Sequence, residues 1–166
     1  MPIGLLDEQV VLERLRERLA ERLRALVASQ GSAQSAATHP EARPEDPKDM
    51  RSTEASYVAR GLAARVETLT DAVAELRALR PSRRGTGAPI ALGSLVALEN
   101  DDTGEESLYF LAPAGGGETL DAEGRVVNVI TPASPLGRAL VGRRLADEIE
   151  VELPRGRAIV VVADLR

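Results

Sequence analysis

The chain has 166 residues and a formal net charge of −5; 43% of its residues are apolar and 2% aromatic. That length suits one ordinary domain or two small ones, and the composition supports an aliphatic core but not an aromatic-lined ligand pocket. Cysteine is absent and His39 is the single histidine, which excludes disulfides, thiol catalysis, cysteine-ligated zinc and multi-histidine metal sites, while the acidic balance argues against a duplex-DNA binder.

The opening segment "MPIGLLDEQV" lacks the basic-then-apolar pattern of a signal peptide, and no apolar run is long enough to span a bilayer. A cytoplasmic protein with no membrane partner is expected. Positive charge is carried by arginine except at Lys48, which leaves planar cations suited to carboxylate partners.

From Leu5 to about Arg80 the spacing is helical. Val11, Leu12, Leu15, Leu19, Leu23 and Leu26 recur mostly at intervals of three and four, and Glu13–Arg16 and Arg14–Glu17 set opposite charges three apart. The run "HPEARPEDPKD" then places Pro40, Pro44 and Pro47 where no helix interior tolerates them. Helical spacing resumes at Val58, Leu62, Val66, Leu69, Val73, Leu76 and Leu79. Two apolar stripes separated by a proline-rich turn predict an antiparallel, coiled-coil-like helical hairpin over residues 1–80, with its tip near 39–53. At about 1.5 Å per residue each arm would reach roughly 45 Å. Toward the turn, "ASQGSAQSAATHP" offers only small and polar residues, so the tip should be thin.

Asp46, Asp49 and Glu54 cluster at that tip. On residue chemistry alone they read as a solvated turn whose carboxylates favour a helix N-terminus, with Asp49 or Ser52 as candidate caps and Glu54 in the first turn.

Residues 81–89 form a Pro/Gly/Arg linker, and over 90–166 the period changes to two. "SLVALEN", "SLYFLAP", "RVVNVIT", "DEIEVELP" and "AIVVVAD" predict five strands, with Glu148, Glu150 and Glu152 alternating against Ile149, Val151 and Leu153 on a strand with one wet face. "AGGGE" lacks the Gly-Lys-Ser/Thr ending of a phosphate loop and reads as a strand connection. Among the strands lies a short helix from Pro135 to Val141, with Ser134 as N-cap, Pro135 at the first helical position and Gly142 just past the end. The fold class is therefore α+β.

A helical hairpin followed by "ALGSLVALENDDTGEESLYFLAP" and "ITPASPLGRALVGRRLADEIEVELPRGRAIVVV" resembles the bacterial Gre transcript-cleavage factor family (GreA/GreB). The likeness covers most of Ala91 to Val162. It implies an FKBP-like, antiparallel C-terminal sheet domain that docks on RNA polymerase at the rim of its secondary channel, with the hairpin passing down that channel. It implies that Asp49, then Asp46 and Glu54, assist the polymerase's catalytic metal, a Mg²⁺ shared with that active centre; the chain has no cofactor of its own. It also implies that Ser134, Pro135 and Leu136 belong to a polymerase-docking corner, where Arg138 either pairs with a polymerase carboxylate or stays solvated. The partner is RNA polymerase, with indirect contact to nascent RNA, and a monomer is expected.

The tip departs from the family, which carries an Asp, a Glu three residues later, then Asn and a Tyr. Aligning on Tyr57 puts Thr53 at the family's Glu, and aligning on Asp49 puts Ser52 there. The resemblance thus implies a transcription elongation factor that stimulates cleavage of backtracked RNA by the polymerase, not itself an enzyme. Its alternative is a channel-binding regulator or inhibitor without cleavage activity, and the missing Asp/Glu pair favours the latter. A prolyl isomerase would need an aromatic pocket, but Tyr109 and Phe110 are adjacent and point to opposite sheet faces. Oligomerisation through the hairpin seam is a further, plainer option.

Overall fold

The computed structural model describes residues 3–38, 50–81, 85, 87–153 and 156–166. Two long helices come first, α1 (Glu8–Thr38) and α2 (Arg51–Ala78). Strands β1 (Leu95–Asn100), β2 (Glu106–Leu111), β3 (Thr119–Ala122) and β4 (Arg125–Ile130) follow, then α3 (Pro135–Leu140), β5 (Glu148–Leu153) and β6 (Gly156–Leu165). By spatial proximity the chain divides into a larger unit, 1–17 with 75–166, and a smaller one, 18–74.

Helix α1 begins later than its apolar pattern suggests. The Asp7 carboxylate accepts the Gln9 N–H at 2.8 Å and caps the helix, while Leu5, before the cap, is almost fully exposed. Helix α2 begins just after Met50, whose carbonyl accepts the Glu54 N–H at 2.9 Å. Ser52 therefore lies inside the first turn and not at the cap. Asp49, the other candidate cap, falls outside the described residues.

In the smaller unit Leu23, Leu26, Gln30 and Ala33 on α1, and Ala59, Leu62, Val66 and Leu69 on α2, are among the partly buried positions, and Leu19 and Val73 are fully buried. That three-four spacing is the seam of an antiparallel pair. Leu26 and Ser29 share a groove with Ala64, Thr68 and Leu69, which places the two helices side by side. The expected charge pairs form as well, Arg14 with Glu17 at 3.3 Å and Arg16 with Glu13 at 2.6 Å.

The larger unit is built on one six-stranded sheet in the order β3-β4-β2-β1-β6-β5. Two features correct the sequence-based expectation of five strands in an antiparallel sheet. The sixth strand, β3, is only four residues long, and a two-residue Glu123-Gly124 turn joins it to β4 with both residues at positive φ, 54° and 76°. This is the primed turn geometry that matches strand twist. The second feature is that β2 and β4 run parallel, so the sheet is mixed. The chain leaves β2, adds β3 at the edge and returns through the hairpin, and that reversal aligns β4 with β2.

The middle of the sheet is buried on both faces. On one, Val96, Leu98, Val160 and Val162 cluster with Ile149, Val151 and Leu140 of α3, and Leu136 and Ala139 pack against them. On the other, Leu95, Ala97, Leu108, Phe110, Val127 and Val129 are equally inaccessible. The chain start helps to close that second face. Ile3, 0% exposed, donates its N–H to Asp164 Oδ2 at 2.7 Å and accepts from Arg125 at 2.8 Å through its carbonyl. Arg125 also holds Glu106 at 3.0 Å. Leu6, Val11, Leu12, Leu15 and Leu76 are buried in the same unit.

Candidate functional site

The corner that enters α3 is assembled by one carbonyl and one hydroxyl. Ser134 Oγ accepts the Gly137 N–H at 3.0 Å and donates to the Thr131 carbonyl at 2.8 Å. The Ser134 N–H reaches the same carbonyl at 3.0 Å, and the Arg138 N–H returns to the Ser134 carbonyl at 2.9 Å. Pro135 occupies the first helical position, where its missing N–H costs no bond. The helix ends where sequence placed its end, with Val141 at the C-cap and Gly142 beyond it at φ 82°.

Gly137 is the residue that sequence reasoning missed. A Cβ there would lie 1.9 Å from the Thr131 carbonyl oxygen, so only glycine admits this turn. A glycine inside so short a helix was itself the signal, since glycine weakens helices and persists where backbone approaches closely. The far end of α3 is stitched to the irregular segment that precedes β1. Gly142 N–H donates to the Ile90 carbonyl at 2.8 Å, and Ile90 N–H donates to the Arg143 carbonyl at 2.7 Å. Arg144 donates to the Gly87 carbonyl and takes the Asp147 carboxylate on its own N–H at 2.9 Å.

The corner's residues thus divide by role. Ala133, Pro135, Arg138 and Val141 face solvent, whereas Ser134 is partly buried in its hydrogen bonds and Leu136 rests against the core. What the corner offers a partner is a proline edge, a small apolar step and one exposed cation, on a backbone held by these hydrogen bonds.

The tip candidates are less fully placed. Asp46, Asp49 and His39 lie outside the described residues. Glu54 sits exposed in the first turn of α2, where it suits the helix dipole, and Thr53 beside it is also exposed. Among the described residues no three His, Asp or Glu side chains converge as a metal site would require.

A groove of about 350 Å³ opens on the sheet face that α3 only partly covers. Its floor is Leu98, Tyr109 and Val160, and Asp102, Glu105 and Arg157 stand at its rim. Tyr109 is its aromatic; the neighbouring Phe110 is fully buried on the opposite face, as the alternation of a strand demands. Burial pushes the Tyr109 phenol above its ordinary range, with the Ser107 hydrogen bond acting against that shift and the Glu105 charge adding to it.

Fold and site together define a class: an α+β protein with two paired long helices and a mixed sheet domain that carries a capped, hydrogen-bonded surface corner. Residues 86–166 match the family described as "Transcription elongation factor, GreA/GreB, C-term". That match covers just under half of the chain. It is 31% identical over 105 residues to Transcription elongation factor GreA of Syntrophobacter fumaroxidans, covering 63% of each protein. It is 36% identical over 97 residues to Transcription inhibitor protein Gfh1 of Thermus aquaticus, covering 58% of this chain and 57% of the relative. These alignments therefore span about three-fifths of the relatives' length. Among solved structures, Gfh1 of Thermus thermophilus aligns over 91% of this chain and 94% of its own, at 26% identity and a TM-score of 0.41. Among the described residues, no helix is long and apolar enough to cross a membrane.

Proposed function

We propose that this chain is a transcription factor that binds RNA polymerase through the Ser134–Pro135 corner and directs its hairpin into the polymerase's secondary channel. The observation that carries this reading is the corner itself. Four backbone and side-chain hydrogen bonds lock a turn whose outward residues, Pro135 and Arg138, contribute nothing to the core. Pre-organised surface groups lower the ordering cost of binding. The family match over the segment that contains the corner supports RNA polymerase as the partner.

Two activities follow from such binding. In the first, the chain stimulates cleavage of backtracked RNA: Asp49, with Asp46 and Glu54, helps to hold a Mg²⁺ ion of the polymerase centre, and the hydrolysis remains the polymerase's own. In the second, the chain occupies the channel and inhibits without cleavage. A specific observation favours the second: Thr53, a neutral side chain on the first turn of α2, stands where alignment on Tyr57 puts the family's Glu.

A transcript-cleavage assay on a stalled, backtracked elongation complex separates them. Cleavage that is lost in an Asp46/Asp49/Glu54 triple alanine variant supports the first. Inhibition without cleavage that survives the triple variant supports the second. If the wild type does not bind polymerase, or a Pro135→Glu/Arg138→Glu variant binds as tightly as wild type, the docking reading fails.

A further inference from the structure

The first turns of α2 carry an aromatic ring that the fold does not bury. Tyr57 is 65% exposed, while the seam of the helix runs elsewhere, through Ala59, Leu62 and Val66. The Arg60 guanidinium lies over the Tyr57 ring, 5.1 Å from its centroid. One turn onward stands Gly61, exposed in mid-helix where glycine is disfavoured. A Cβ at that position would meet nothing within 4 Å, so no packing demands the glycine. Its effect is on its neighbour. Residues four apart share a helix face and side chains lean toward the N-terminus, so any larger side chain at 61 would settle toward the Tyr57 ring. Glycine leaves that side of the ring bare.

We propose that Tyr57, Arg60 and the bare backbone at Gly61 form a stacking platform for a base of single-stranded RNA. Naming RNA as the occupant rests on the reading above, in which the hairpin approaches the nascent transcript. An exposed ring beside a cation is the combination by which proteins hold single strands: the ring stacks on a base of any identity and the cation attracts the flanking phosphate. Glu54 stands exposed one turn before Tyr57 and repels phosphate. The strand backbone therefore runs on the Arg60 side.

The test uses the full chain and a short, labelled oligoadenylate RNA in low salt, without polymerase, with binding read by fluorescence anisotropy. Tyr57→Phe should bind within about twofold of wild type and Tyr57→Ala about tenfold more weakly, the scale of one lost stacking contact. Gly61→Leu should weaken binding similarly while raising helix content by circular dichroism, so that misfolding does not explain the loss. Arg60→Ala should flatten the salt dependence. Wild-type chain that does not bind the RNA, or Tyr57→Ala and Gly61→Leu variants that bind as wild type does, overturns the platform. Because polymerase is absent, that failure leaves docking to its own assay.

Discussion

The carbonyl oxygen of Thr131 occupies the space that a side chain at Gly137 would fill, with an ideal Cβ only 1.9 Å away. That oxygen also receives the Ser134 N–H and hydroxyl, so it cannot retreat without breaking both bonds. Gly137→Ala should therefore destabilise the sheet domain by about 3 kcal/mol, at the upper end of overpacking costs. Urea unfolding of the full chain measures this. A loss below about 0.5 kcal/mol would mean that the turn relaxes freely.

Ser134 and Arg138 should separate stability from docking. Ser134→Ala removes the α3 cap and should cost about 1 kcal/mol. Arg138→Glu, on an exposed residue, should change stability by no more than about 0.5 kcal/mol yet weaken polymerase binding. Parallel thermal melts and polymerase pull-downs test both; equal effects of Arg138→Glu on each would mark it as structural.

Arg16 reaches across the hairpin root to the end of α2. Its Nε donates to the Leu76 carbonyl at 3.0 Å and its Nη2 to the Leu79 carbonyl at 2.8 Å, while Glu13 holds its Nη1. Carbonyls at a helix C-terminus lack intrahelical donors, and a charged donor there also meets the favourable end of the dipole. Arg16→Met should keep the stem but lose about 1.5–3 kcal/mol, the range for hydrogen bonds to charged groups. Arg16→Lys should recover little, since one ammonium cannot reproduce the fork. Chemical denaturation of the two variants would decide.

Tyr109 supplies a pH dependence. Its folded pKa lies above the ordinary 10.0, chiefly because burial disfavours the phenolate. The unfolded chain therefore ionises first. The stabilisation is fully present below pH 10 and is lost as pH rises through the folded value. Stability should fall above pH 10, and Tyr109→Phe should reduce that fall; an unchanged alkaline slope would place the cause elsewhere.

Much of this was legible from residues alone. The apolar three-four spacing specified both long helices, because a helix buries one stripe whatever its partner. Ser134, Pro135 and Gly142 marked the ends of α3 because capping is local chemistry, and the alternating glutamates of β5 marked its wet face for the same reason. The strand β3 was not legible: Thr119–Ala122 is too short for its alternation to stand out, and only pairing with β4 makes it a strand. Nor was the parallel pairing of β2 with β4, since the side-chain pattern within one strand does not state in which direction its neighbour runs.

The site divides in the same way. Sequence alone determined that Ser134 would cap and Pro135 would start α3, since each acts within one turn of its own backbone. The tertiary structure decided that Thr131 fills the place of a side chain at Gly137, that Ile3 is clasped between Asp164 and Arg125, and that Arg16 closes the end of α2. Ile3 lies 161 residues from Asp164, and Arg16 lies 60 from Leu76. Contacts over such separations leave no periodicity in the chain, because they exist only after the local elements have packed and brought their ends together.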